Sequence, residues 1–304
     1  AFWAPLDGAI DQKRPAMLNF RNEPSEADMS QFSAFVKAER DGWSNSGRAS
    51  GYVDFFASAS DMAIEPLLNA VYAATSDRAL DLCCGQGNVS EALRQRGCEV
   101  VGLDFSPAML DQARSRVPDA TFLEGDAQAL PFEEDSFDIV VSNLGICHVA
   151  DQPKALSEVA RVLRPGGHFA MTVWCGPDKS PCFEVFYDAV KQHGSLDVSA
   201  PPGPDFHQFA EPAFAERTLV LAGFTDVACD VVDCAWILNS PDRLFEIFER
   251  GTVRAAMLLA SQPTENRTAI RTALTEKVRQ RLQVGETWRV PIPAALVRAS
   301  VPAS

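Results

Sequence analysis

A chain of 304 residues, 46% of them apolar, is long enough for one large domain or two and for a well-covered core. Its 27 Lys and Arg against 41 Asp and Glu leave a net charge of -14, which repels phosphate backbones and anionic lipid and excludes the usual electrostatic route to nucleic acid. No apolar run approaches the ~20 residues a membrane helix needs. The eight cysteines are scattered without a CxxC pair, and the first residues lack the order of a signal peptide. A cytoplasmic protein with reduced thiols, no metal site and no membrane partner is expected.

Residues 1–42 read as an N-terminal arm. Its first part carries Pro5, Pro15 and Pro24 with little periodicity, whereas Met29 directly precedes the amphipathic Phe32, Phe35 and Val36, which makes Met29 a candidate natural start. From Arg78, short aliphatic runs alternate with helical segments, the signature of βαβ units and a parallel sheet. Strands are expected near Ala79–Leu82, Glu99–Asp104, Ala120–Glu124, Phe137–Ser142 and His168–Trp174, with helices over Asn88–Arg96, Pro107–Ser115 and Pro153–Leu163 between them. The last of these helices stops at Arg164-Pro165-Gly166-Gly167. Residues 43–174 thus form a binding core.

After Trp174 the rhythm changes. Pro177 and Pro181 precede an apolar helix at Phe183–Gln192, and a loop with Pro201, Pro202, Gly203 and Pro204 follows, so residues 175–210 read as a lid insertion. Residues 211–304 complete the sheet, with a helix at Pro212–Ala222, a strand at Thr225–Trp236 and a last strand near Ile292–Val301. Helices at Pro241–Ala260 and Thr264–Leu282 make a helical insertion over residues 241–283. Pro291 and Pro293 favour an edge position for the last strand.

In an open parallel sheet the ligand lies at the carboxyl ends of the strands, where strand order reverses. The first strand-to-helix turn is Asp81-Leu82-Cys83-Cys84-Gly85-Gln86-Gly87-Asn88. Gly85 and Gly87 permit unusual dihedrals and remove side chains that would block a ligand. Asp104 closes the next strand, placed to accept from ribose hydroxyls. Asp126, in Gly125-Asp126-Ala127, follows the third strand, where it can accept from an adenine amine while the Ala127 N–H donates to a ring nitrogen. Singly, each acid is commonest as a solvated cap; in this order they describe an adenosine site.

The ordered blocks Leu80–Gly87, Val101–Ser106, Gly125–Ala127 with Leu130-Pro131-Phe132, Phe137–Asn143 and Arg161–Gly167 resemble the class I S-adenosylmethionine-dependent methyltransferases, especially the branch of ubiquinone/menaquinone-biosynthesis methyltransferases. The resemblance covers about Trp43–Trp174. It implies an α/β fold with a doubly wound, mostly parallel seven-stranded sheet, Rossmann-like, with helical lid insertions, and S-adenosyl-L-methionine as cofactor. By it, Asp81, Cys83, Gly85 and Gly87 hold the methionine end, Asp104 the ribose, and Asp126 and Ala127 the adenine. Phe105 and Met109 flank the adenine, with inward packing as their alternative, and Asn143 reaches the amino acid portion through its backbone. Arg48, beside Trp43 and Tyr52, is expected to pair with the methionine carboxylate, or else to be a surface arginine. Cys83 stands where the family usually has glycine.

The implied activity is in-line methyl transfer to a small, partly apolar molecule, with a lid whose Trp174, Phe183, Phe186, Tyr187, Phe206 and Phe209 suit such an acceptor. Of the four histidines, His148 follows the fourth strand and is the candidate general base, a local cap being its alternative. Two rival readings remain at this stage. One is an NAD(P)-dependent oxidoreductase, which the missing third glycine and the Gly125-Asp126-Ala127 block oppose; the other is a non-catalytic S-adenosylmethionine-binding protein. The acceptor, the atom methylated and the oligomeric state are not readable.

Overall fold

The computed structural model of the chain describes residues 32–197 and 201–303; the proline-bearing arm, with Met29, lies outside the described residues. Ten strands are described: β1 (Arg78–Leu82), β2 (Glu99–Asp104), β3 (Thr121–Glu124), β4 (Phe137–Asn143), β5 (Leu163–Trp174), β6 (Thr225–Val232), β7 (Ala235–Leu238), β8 (Gln283–Val284), β9 (Thr287–Pro291) and β10 (Ala294–Ser300). Seven of them form one sheet in the order β3-β2-β1-β4-β5-β10-β6. Neighbours from β3 to β5 pair in parallel, whereas β10 runs antiparallel to both β5 and β6. This is the doubly wound, mostly parallel seven-stranded sheet implied by the sequence.

Burial follows from the strand period. In β1, Leu80 and Leu82 pack with Val101, Leu103, Val140, Phe169 and Met171 on one face. Ala79 packs with Val100, Ile139, Val141 and Ala170 on the other. Central strands covered on both faces need near-continuous apolar sequence, which these runs supply. The helices begin where local chemistry favours it. Pro107 opens Pro107–Arg116 behind Ser106, whose hydroxyl accepts from the Met109 N–H at 3.2 Å, and Asp151 caps Gln152–Val162 through the Lys154 N–H at 3.0 Å.

Chain order reverses between β1 and β4, because β2 and β3 extend the sheet one way and β4 and β5 the other. The crevice outside the carboxyl ends of β1 and β4 is therefore the expected ligand position. Over it lies a helical cover, Ser33–Trp43, Ser46–Gly51 and residues 52–63, tied down where Trp236 Nε1 donates to the Phe56 carbonyl at 3.1 Å.

Three sequence expectations are corrected here. The run Thr225–Trp236 is not one strand: it breaks at Asp233 and Cys234, where the Cys234 N–H bonds back to the Val232 carbonyl at 3.0 Å. Residues beyond the break join a separate three-stranded sheet, β7-β9-β8. The last strand is not an edge strand but lies between β5 and β6. Pro291 and Pro293 precede its ladder and remove none of its donors, so the proline argument does not apply. The helix expected over Pro241–Ala260 is interrupted at Thr252, which is extended with φ -133 and ψ 159, giving Arg243–Gly251 and Arg254–Ala260.

Candidate active site

The turn after β1 is built on positive dihedrals: φ is 59 at Cys83, 52 at Gly85 and 82 at Gly87. The two glycines do different work. A Cβ on Gly87 would lie 3.1 Å from Ala113 Cα, so Gly87 lets the turn pack on the neighbouring helix, whereas a Cβ on Gly85 would meet nothing within 4 Å. Gly85 thus leaves space for something else. Cys83 accepts the left-handed conformation although it carries a Cβ. The room comes from Gly145 across the crevice, where an added Cβ would approach Cys83 Cβ to 2.4 Å.

Asp81 is buried at the end of β1, and its Oδ2 accepts from Ser90 Oγ at 2.6 Å. Burial pushes its carboxyl up to about 7, against the Ser90 hydrogen bonds and helped by nearby Asp104. Asp104 is also buried, and burial raises its pKa. The Gly85 and Ser106 amides, each donating to it at 2.9 Å, work the other way. Asp126 sits at the rim, accepting from its own turn through the Gln128 N–H at 2.9 Å. Asn143 joins cover to core: Nδ2 donates to the Ser60 carbonyl at 3.2 Å and Oδ1 accepts from Thr172 Oγ1 at 2.6 Å.

These residues surround a cavity of about 230 Å³ whose floor includes Asp81, Cys83, Gly85, Asp104, Met109 and Asn143. The same cavity has an aromatic lining of Trp174, Phe183, Tyr187, Phe206 and Phe248. A small recess of about 40 Å³ adjoins it and is lined by Asp104, Phe105, Asp126, Ala127 and His148. Met109 is both buried against Trp43 and part of the cavity wall, so packing and lining are not alternatives for it.

The cradle suits an adenosylated amino acid. Gln86 Oε1 and Asn88 Oδ1 are buried acceptors without a donor among the described residues, and both residues line the cavity beside Asp81, which is the chemistry an ammonium group would satisfy. Among the described residues no group of three or more His, Cys, Asp or Glu could hold a metal ion.

Two expected site residues stand differently. Arg48 is not brought to the cradle: its Nη1 donates to the Glu249 carbonyl at 2.6 Å, and the residue lines a separate open concavity with Asn45 and Arg250. His148 is in place, but its Nδ1 lies 2.7 Å from Glu39 Oε2, which also accepts from Trp43 Nε1 at 3.0 Å. Burial alone would push this imidazole down, yet Cys147 and Glu39 hold it well above its ordinary value. The ring expected as the general base is therefore a half-buried partner of the buried Glu39 carboxylate.

Sequence reasoning missed Glu39 and Arg254, and of the four histidines it placed His207 in the lid and ranked it behind His148. Glu39 had a signal, since it falls between Phe35 and Trp43 at four-residue spacing, inside a helix's apolar stripe. His207 lines the cavity, and its Nδ1 is 2.9 Å from the Trp174 carbonyl. A carbonyl only accepts, so in the neutral ring the proton sits on Nδ1 and Nε2 carries the lone pair.

Residues 80–171 match the family described as a methyltransferase domain. The chain is 40% identical over 120 residues to a demethylmenaquinone methyltransferase of Renibacterium salmoninarum, an alignment covering 40% of this chain and 51% of the relative. It is 39% identical over 129 residues to a malonyl-[acyl-carrier protein] O-methyltransferase of Salmonella typhimurium, covering 42% of this chain and 51% of the relative. The chain thus spans about half the length of the curated relatives it matches. Among solved structures, the YcgJ protein of Bacillus subtilis superposes with a TM-score of 0.53 at 19% identity, over 80% of this chain and 99% of that one, a likeness of fold.

Proposed function

We propose that this chain, a class I S-adenosylmethionine-dependent methyltransferase in its core, methylates a small, partly apolar acceptor held against the aromatic wall of the cavity. The observation that carries the proposal is the cavity's mixed chemistry. Buried acids and orphaned acceptors line the same cavity as Trp174, Phe183, Tyr187 and Phe206. S-adenosylmethionine, when bound, supplies an activated methyl group suited to a single in-line displacement, which needs alignment and dryness more than covalent catalysis.

On this reading, Asp81, Gly85 and Gly87 receive the methionine end, Asp104 the ribose, and Asp126 with the Ala127 N–H the adenine. Cys83 and Asn143 shape the floor, and Phe105 and Met109 close the adenine side. Asn143 also locks the cover through Ser60, which excludes water. His207 is the better-placed base, because its donation to the Trp174 carbonyl fixes the tautomer whose Nε2 can take a proton. His148 positions Glu39 and the cover. The relatives' names point to a quinol ring or a carboxylate as acceptor, and the aromatic wall favours the ring. No helix among the described residues is long and apolar enough to cross a membrane. Eight free thiols support a cytoplasmic setting, and the net charge of -14 opposes a nucleic-acid acceptor.

The test is release of S-adenosylhomocysteine from S-adenosylmethionine with a reduced demethylmenaquinone as acceptor. Release above the acceptor-free blank, reduced in His207→Asn, is expected. Release equal to the blank counts against a quinol acceptor.

A further inference from the structure

Arg254 enters the cavity wall from the start of the helix Arg254–Ala260. Its guanidinium carbon lies 5.4 Å from the Phe35 ring centre and 5.0 Å from that of Phe206. Nη1 is buried and has no hydrogen-bond partner among the described residues. The chain packs tightly on this group: a Cβ on Gly203 would come within 2.9 Å of Nη1 and 2.3 Å of Phe35. Other arginines of the same helical layer are paired, Arg243 with Glu246, Arg267 with Glu249 and Arg271 with Asp242. The nearby acid Asp205 is committed to its own turn, accepting from the His207 N–H at 2.8 Å.

An orphaned guanidinium N–H in a partly dry site is costly unless something occupies it. Ring faces on Phe35 and Phe206 offset part of that cost by cation–π attraction, but neither accepts a hydrogen bond from Nη1 in the ring plane of the guanidinium. The charge is felt inside the cavity, since Arg254 opposes the rise that burial imposes on the Tyr187 hydroxyl. Tyr187, Phe183 and Phe206 would meanwhile flank a flat molecule.

We infer that Arg254 is the anion-recognition residue of the acceptor pocket, so that the acceptor is a planar aromatic molecule that presents an oxyanion, a carboxylate or the phenolate of a quinol. The inference rests on the methyltransferase reading only for the word acceptor; the anion site itself is a matter of binding. Arg254 would orient the ring against Phe183 and Tyr187, leaving the reacting atom to face His207.

The test is calorimetric titration of the full chain, with and without S-adenosylhomocysteine, using 2-naphthoate and its neutral, shape-matched counterpart 2-naphthalenemethanol. Wild type should bind naphthoate roughly tenfold more tightly than the alcohol, the worth of one charge-assisted hydrogen bond. Arg254→Met should abolish that preference while leaving affinity for the alcohol and for S-adenosylhomocysteine within about twofold, and Arg254→Lys should keep part of it. The inference is overturned if wild type does not distinguish the two probes or binds neither. It is also overturned if Arg254→Met weakens S-adenosylhomocysteine binding and spares naphthoate, which would make Arg254 a cofactor residue. Failure of wild type to bind S-adenosylhomocysteine, with the naphthoate preference intact, would count against the methyltransferase reading and uphold the anion site.

Discussion

Asp81 carries the most telling electrostatics of the site. Burial holds its carboxyl at about 7, far above the ordinary carboxylate range, so folding takes up a proton and the native state loses stability as pH rises from about 4 to 7. Asp81→Asn removes that loss, so thermal unfolding of the ligand-free variant should come roughly a few degrees above wild type at pH 8, with little gain at pH 4. An ammonium group at Asp81 needs the ionised form. Affinity for S-adenosylhomocysteine should therefore climb with pH toward 7 in wild type, and the variant should bind weakly without that dependence. The sign is the same at His148, in a higher pH window: its raised value means that the Glu39 pair stabilises fully below the imidazole's ordinary range and is lost as pH rises well beyond it. Glu39→Gln leaves a half-buried imidazole without its counter-ion and should cost about 1–2 kcal/mol near pH 6, with the gap to wild type narrowing under alkaline conditions in denaturant melts. The positions of Asp81, Asp104 and Asp126 were legible in the sequence because each lies at or just past a strand end, a placement that pattern alone supplies. The partners of Arg48 and His148 were not: Glu249 lies 201 positions from Arg48 and Glu39 109 from His148, and no local period reports such pairings.

At the scale of elements, the turn after β1 separates two kinds of glycine. Gly85 faces open space while Gly87 faces Ala113, although both have positive φ. Gly85→Ala should cost about 1 kcal/mol in stability, the price of a Cβ in left-handed backbone, yet reduce S-adenosylhomocysteine affinity about tenfold or more, since the methyl would stand in the cradle. Gly87→Ala should instead show its loss mainly in melting temperature. Equal affinity in wild type and Gly85→Ala would show that the open space is not the ligand's. The central strands and their helices were readable because both faces of β1, β2 and β4 are buried and their caps are local. The second sheet was not, since β7 to β9 are short and partly exposed and their pairing joins segments some fifty residues apart. Likewise the place of β10 between β5 and β6 is a tertiary choice. Prolines that merely precede a strand misreport its neighbours.

Over the whole molecule, one sheet fixes the cradle, and the helices and small sheet around Phe248, Trp236 and Phe183 supply the aromatic side. The division explains why the family match falls on residues 80–171 while the aromatic wall carries no motif: a nucleoside imposes fixed donors and acceptors, and an apolar ring only a volume and a surface. The missing third glycine of a dinucleotide turn and the Gly125-Asp126-Ala127 strand end favour an adenosine site without a pyrophosphate. Parallel calorimetric titrations of wild type and Asp104→Asn with S-adenosylhomocysteine and NADH test it most directly. S-adenosylhomocysteine should bind wild type, lose about tenfold or more in Asp104→Asn, and NADH should bind neither; tight NADH binding with no heat from S-adenosylhomocysteine would contradict the account.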